Sequence, residues 1–273
     1  MAEPFHCDFA GRLFMSHLGN HLINAADFHS NERNFGMLYL NSIGKTWVLS
    51  RLAVEMTEMP SAYDRFSVET WVESAMRFFT NRNFRVVSSK ELSSKEAQKV
   101  YGYGRSVWAM IDVATRQPVD LFSVNDGVLK NYVEAEKECP IAKPSRVRIS
   151  DEARLVHSLV AQYGDIDMNG HVNSLKYIEH ILNLWDSDWY SAHPLRRFDI
   201  AYVAEAHLGE KLNFYQEKIA DNDFVVRISK GDGDESEVCR CELQFGSFSP
   251  SFFLIKLPSA TICSSLTNWR RAA

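Results

Sequence analysis

Apolar and polar residues alternate along four runs toward the end of the chain: RRFDIAYVAEA from Arg196, then EKLNFYQEKIA, DFVVRISK and EVCRCELQFG. A period of two marks strands with one covered face. The intervening LGE, DND and GDGDE carry the glycine, aspartate and asparagine that antiparallel hairpins require. Just upstream the period changes to that of a helix, with Val172, Leu175, Ile178, Ile181, Leu182 and Trp185 in register. Tyr177 and Leu184 widen its apolar face until most of the helix must be covered. Before it, ARLVHSLVAQ alternates like a strand. The second half therefore reads as strand, buried helix and about four antiparallel strands.

The first half repeats this order. LGNHLINAADFHSNERNFG suits a helix, and KTWVLSRLAVEM, DRFSVETWVESA, FFTNRNFRVVSS and VYGYGRSVWAMIDV follow as strands. An offset of 150 residues puts His21 on His171, and one of 146 puts Asp64 on Glu210, with the apolar positions roughly in phase. The expectation is an internal duplication of a helix-plus-antiparallel-sheet unit, an α+β fold. It divides as residues 1–120, a connector at 121–150 with a short helical stretch from Val128 to Lys137, a second unit at 151–246, and a tail at 247–273 of unassigned role. The glycines of GYGRS suggest a bulge or a close backbone approach, not a phosphate loop.

Composition narrows the classes. A chain of 273 residues with 45% hydrophobic content buries a sizeable core, and a net charge of −5 speaks against a nucleic-acid partner. There is no run of about 18 apolar residues and no signal-like N-terminus, so a soluble, cytoplasmic protein with no membrane partner is expected. The five cysteines are odd in number and scattered, as reduced thiols are. Cys239 and Cys241 are spaced to share one face of a strand, which is wrong for a zinc knuckle. No H-E-x-x-H, G-x-S-x-G, Walker or dinucleotide motif is present, and neither metal nor cofactor is expected.

The chemistry concentrates in Y-G-D-I-D-M-N-G-H-V-N, from Tyr163 to Asn173. Asp165, Asp167, Asn169 and Gly170 match the opening of an EF-hand loop, but its twelfth position, which must be a bidentate glutamate, is Lys176. A simple helix cap needs one side chain, Asn169 or Asn173. Here Asp167, Asn169 and His171 are all presented at one helix end. The third account is catalytic: a carboxylate, an amide and an imidazole beside a helix N-terminus make, in outline, a site for acyl transfer.

D-I-D-M-N-G-H-V-N-S-L-K-Y-I resembles the D-x-N-x-H-V-N-x-x-K-Y signature of the acyl-acyl carrier protein thioesterases of plant plastids and bacteria. R-F-D-I-A-Y-V-A-E-A resembles that family's strand ending Y-R-R-E-C. S-R-L-A-V-E-M-T-E-M-P resembles its N-terminal strand, and G-R-S-V-W-A-M-I-D-V-A-T-R-Q-P its stretch with an M-x-x-x-T-R turn. The similarity covers roughly residues 5 to 246.

The resemblance implies a double hotdog fold, two long helices each wrapped by an antiparallel sheet, and hydrolysis of the thioester between a fatty acyl group and the phosphopantetheine arm of acyl carrier protein. It implies a catalytic network of Asp167, Asn169, His171 and Glu205. Ala206 stands where many members have cysteine, so the mechanism has to run on carboxylates and water. Asp167 is expected to act on the carbonyl as nucleophile or orienting base. Asn169, His171 and helix amides around Val172 would hold Asp167 and the oxyanion, and Glu205 would activate water.

At the 150-residue offset His17 and Gly19 match Asp167 and Asn169, so the first half keeps only His21. By resemblance that half supplies the acyl-chain pocket, with Trp47, Met56, Met59, Trp71, Phe78 and Phe79 as candidates to line it. Lys176, Arg196 and Arg197 are the candidate cations for docking an acidic carrier protein. The alternatives are an acyl-CoA thioesterase, a non-hydrolytic hotdog acyl-thioester-binding protein, or a hydratase. A homodimer is compatible with the duplication but not required by it.

Overall fold

The alternating runs form strands, and all of them join one sheet. The first half contributes β1 (Lys45–Met56), β2 (Phe66–Ala75), β3 (Phe79–Ser88) and β4 (Val100–Asp112). The second contributes β5 (Arg154–Val160), β6 (Leu195–Tyr202), β7 (Lys211–Lys218), β8 (Asp223–Lys230) and β9 (Ser236–Phe245). The computed structural model describes residues 1–89, 98–144, 146–232 and 236–247, so Cys263 and the expected tail from residue 248 lie outside the described residues.

The sheet is antiparallel throughout, in the order β2-β3-β4-β1-β6-β9-β8-β7-β5. Apart from β5 the order mirrors itself about the β1–β6 pair, where Leu52 faces Ile200 and Val54 faces Phe198. These four side chains are buried in a core shared by both halves. Two helices pack on that face. α1 (Met15–Asn31) and α3 (Ser174–Leu182) lie against each other, and a Cβ on Gly19 would come within 2.8 Å of the Leu175 side chain.

Several elements differ from the pattern-based expectation. The helical period reaches Trp185, but α3 stops at Leu182. The chain restarts as α4 (Ser187–Ala192), where the Asp186 side chain accepts the Trp189 N–H at 2.8 Å. A local cap outcompetes the period here. An unexpected short α2 (Met37–Ser42) follows α1. The stretch expected to be helical at Val128–Lys137 is instead a 3₁₀ segment, Asn125–Tyr132, interrupted by left-handed Asp126 and Gly127. β5 alternates in sequence yet is exposed on both faces except at Leu159, because it is an edge strand paired with β7 alone.

The connector crosses the outer face of the sheet. Trp71 donates to the Lys137 carbonyl at 3.0 Å and Arg105 to that of Cys139 at 2.6 Å, and Trp71, Cys139 and Ile141 are buried together there. Trp71 thus lies away from the helices, and Phe79 is exposed, so neither faces the shared core. The close approach expected at GYGRS is present. A Cβ on Gly102 would sit 2.4 Å from the Glu55 carbonyl oxygen, where β3 and β4 shift register. Cys239 and Cys241 share the buried face of β9, and burial pushes both thiols well up from their ordinary value. No helix among the described residues is long and apolar enough to cross a membrane.

Candidate active site

The loop that enters α3 is built by its own polar side chains. Asp165 closes a 3₁₀ turn by accepting the Gln162 N–H at 2.8 Å, and its other carboxylate oxygen meets His180 Nε2 of α3 at 2.9 Å. Asp165 is therefore an internal brace, its carboxylate turned to its own loop and helix. Ile166 then bridges Val172, and the chain folds back between them with Gly170 at φ +80°, a conformation glycine adopts without steric cost.

Asp167 ties this fold-back together. Its N–H donates to the His171 carbonyl at 2.8 Å, and Oδ1 accepts from the N–H groups of Asn169 at 2.8 Å and His171 at 3.4 Å. Among the described residues Oδ2 has only the Asn169 carboxamide, at 3.5 Å, a distance too long to hold either group. The Asn169 side chain is exposed and free to donate elsewhere.

His171 points the other way. Its Nε2 lies 3.3 Å from Glu205 Oε2, on the segment that follows β6, and its ring is 5.0 Å from that of His207. Glu205 Oε1 is held by Arg116, from the turn after β4 in the first half. The structure thus brings together Asp167, Asn169, His171 and Glu205, and adds His207 and Arg116. Arg116 belongs to the T-R turn legible in the sequence, but its contact with Glu205 spans 89 residues and no local pattern reveals it.

Two expectations about donors and docking cations are corrected. The Val172 N–H donates to the Ala206 carbonyl at 2.8 Å, the Asn173 N–H to that of Asp165, and the Leu175 N–H to the Asn173 side chain at 2.9 Å. The amides of Val172, Asn173 and Leu175 are thus engaged by the protein, and Val172 is not an oxyanion donor. Arg197 is buried on the outer face, bound to Asp199 at 2.6 Å and Glu55 at 2.8 Å, so it is no docking cation. Arg196 donates to the Thr57 carbonyl and Lys176 pairs with Glu179 within its own helix.

The first half contains the same loop, at a different offset from the one expected. Cys7 bridges Leu13 as Ile166 bridges Val172, Gly11 sits at φ +75°, and the Asp8 N–H donates to the Arg12 carbonyl at 2.8 Å. Asp8 Oδ1 accepts the N–H groups of Ala10 and Arg12, both at 2.9 Å. Leu13 N–H donates to Pro60 as Val172 N–H does to Ala206. The counterparts of Asp167, Asn169, His171 and Glu205 are thus Asp8, Ala10, Arg12 and Met59. The His21–His171 alignment is wrong by nine residues, and the residue kept is the aspartate, not the histidine. Arg12 covers that aspartate, at 2.8 Å from Oδ2.

Two family models match the chain: the acyl-ACP thioesterase N-terminal domain over residues 4–132 and the acyl-ACP thioesterase C-terminal domain over residues 149–246. The fold superposes on the crystal structure of an acyl-ACP thioesterase from Bacteroides thetaiotaomicron with a TM-score of 0.81 and 46% identity, covering 90% of this chain and 95% of that one. A 12:0-ACP thioesterase from Umbellularia californica shares the fold at a TM-score of 0.74 and 18% identity, over 91% and 96% of the two chains. An oleoyl-acyl carrier protein thioesterase of Arabidopsis thaliana is 25% identical over 206 residues, 72% of this chain and 54% of the plant protein. The chain spans about half the length of the curated plant relatives it matches. Its mirrored halves are two hotdog units, and the chain belongs to the acyl-ACP thioesterase family.

Proposed function

We propose that this protein hydrolyses the thioester of a fatty acyl group carried on acyl carrier protein, releasing the free fatty acid and the carrier thiol. The reading rests above all on the His171–Glu205 pair, an imidazole and a carboxylate in contact beside an exposed amide and a second carboxylate. Water gives a proton to this pair as its oxygen bonds to the thioester carbonyl carbon. The C–S bond then breaks and His171 returns the proton to the leaving sulfur. The Asn169 carboxamide donates to the oxyanion, in place of the Val172 amide, which is engaged. Asp167 holds the loop through Oδ1 and orients the water through Oδ2. The first hotdog, which lacks the imidazole and the second carboxylate, accommodates the acyl chain.

Thiol release from a panel of acyl-acyl carrier proteins and acyl-CoAs tests this. Turnover on the carrier-bound substrates is expected, with Asp167→Ala and Glu205→Ala each well below wild type. If both variants stay within about threefold of wild type, a margin far inside the effect of a lost general base, the residue assignment is wrong. Turnover on acyl-CoA alone redirects the substrate, and none on any thioester leaves a binding protein.

A further inference from the structure

We infer that Arg116 is a positioning residue for the reaction: the first hotdog lends this cation to the second so that Glu205 is held against His171. The inference rests on the proposed role of Glu205. The two oxygens of that carboxylate are divided between the halves, Oε2 toward His171 at 3.3 Å and Oε1 toward the Arg116 guanidinium. Glu205 lies on an irregular segment between β6 and β7, outside any ladder, so side-chain contacts must fix its direction. A guanidinium on Oε1 is suited to this, because its charge-assisted N–H holds that oxygen and leaves Oε2 to His171.

A second, independent observation comes from the backbone. Arg116 has φ +60°, the left-handed region, which glycine or asparagine fills far more readily than a long side chain. The turn is over-determined around it. Asp112 Oδ1 accepts from the Ala114 and Thr115 N–H groups at 3.1 and 2.9 Å and from the Thr115 hydroxyl at 3.1 Å. The Arg116 N–H donates to the Asp112 carbonyl at 2.9 Å. Backbone geometry alone therefore favours another residue at 116. What arginine adds is the reach to Glu205, and residues held in such strained backbone cluster at functional sites.

Arg116→Gly separates the two roles, since it relieves the turn while removing the cation. The expected result is a melting temperature equal to or above wild type together with a kcat lower by about tenfold or more, short of the roughly hundredfold that a 1 Å misplacement can cost. The kcat loss is expected alike on acyl-acyl carrier protein and on a small acyl thioester, with KM within about twofold, because the effect acts through Glu205 and not through the carrier. Arg116→Lys is expected to recover part of the rate. In a Glu205→Gln background the residual rate should change less than about twofold on adding Arg116→Gly, since the two act as one unit. Three results overturn the inference: turnover of Arg116→Gly within twofold of wild type, a rise in KM confined to the carrier substrate, or losses that multiply in the double variant. If Glu205→Gln alone leaves turnover near wild type, the reading of the site has failed. If Glu205→Gln is inactive and Arg116→Gly is not, only this inference has.

Discussion

The loops Asp8–Leu13 and Asp167–Val172 have the same backbone hydrogen bonds, the same left-handed glycine and the same carbonyl partner for their last amide. They differ in what surrounds the aspartate. In the first half Arg12 neutralises it, and alanine and methionine stand at the other two places. In the second the aspartate keeps an open oxygen, and an imidazole and a glutamate complete the set. The comparison divides the work of Asp167 into two parts. Closing the loop through Oδ1 is common to both halves, whereas the open Oδ2, His171 and Glu205 are the groups to which the proposed chemistry is assigned in one.

The sharpest contrast is at the imidazole and the glutamate. His171→Ala or Glu205→Gln is expected to lower kcat by about 10²–10⁴-fold, the range for a lost general base. Their counterparts Arg12→Ala and Met59→Leu should leave kcat within about twofold, as neither site reaches a reacting atom. Steady-state kinetics on an acyl-acyl carrier protein reads all four, and a large kcat loss from Arg12→Ala would break the contrast. Next comes Asn169→Ala. Loss of an oxyanion donor costs about 10²–10³-fold in kcat, with little change in KM. Ala10 shows that the loop closes without an amide side chain, so this loss is not one of folding.

The two aspartates test the division of roles. Asp8→Ala and Asp167→Ala each strip two backbone amides of their acceptor and should each cost about 1–2 kcal/mol of stability, by analogy with removal of a helix cap. For a chain of this size that lowers Tm by about 2–8 °C. Only Asp167→Ala should also lower kcat. Asp167→Asn keeps an acceptor for the loop, so its Tm should stay near wild type while kcat isolates the charge. Equal kcat for Asp167→Asn and wild type would reduce Asp167 to loop closure.

The smallest effect lies in the first half, at the far end of α1. Burial, then the cations Arg82 and Arg33, lower the pKa of His29 to about 4. The unfolded chain takes up the proton near pH 6.5 and the folded protein resists it until about pH 4. This contribution to stability is therefore complete above pH 6.5 and is lost as pH falls from 6.5 toward 4. His29 is half-buried and screened by solvent, so the loss is about 1 kcal/mol or less. A pH series of Tm should show a decline over that window that His29→Gln reduces. An unchanged slope would show that other groups dominate.

The strands and the helices of each half were legible because each rests on a local pattern, period two or period 3.6; of the proposed site, Asp167, Asn169 and His171 share one uninterrupted motif, while Glu205 came only from the family resemblance. What failed needed distance. The offset of 150 is wrong by nine residues because the few apolar matches it makes, Leu22 on Val172, Ala25 on Leu175 and Phe28 on Ile178, do not fix a helix register. Asp8 and Asp167 match only once their hydrogen bonds are compared. Arg197 looked like a surface cation near the site, yet strand alternation puts it on the outer face, where Asp199 and Glu55 bind it and the connector covers it. Trp71 is buried for the same reason, under a segment whose path no periodicity traces. The exposure of β5 follows from its place at the sheet edge, a property of topology and not of its own seven residues.

The central claim is that the proposed hydrolysis runs through His171 and Glu205 of the second hotdog and not through their counterparts Arg12 and Met59 in the first. Its most direct test is thiol release from an acyl-acyl carrier protein by wild type, Glu205→Gln and Met59→Leu, measured side by side with Tm. The account predicts full turnover for wild type and Met59→Leu, and a loss of about 10²-fold or more for Glu205→Gln at unchanged Tm. Turnover by Glu205→Gln within about threefold of wild type, too small a change for a lost base, contradicts it.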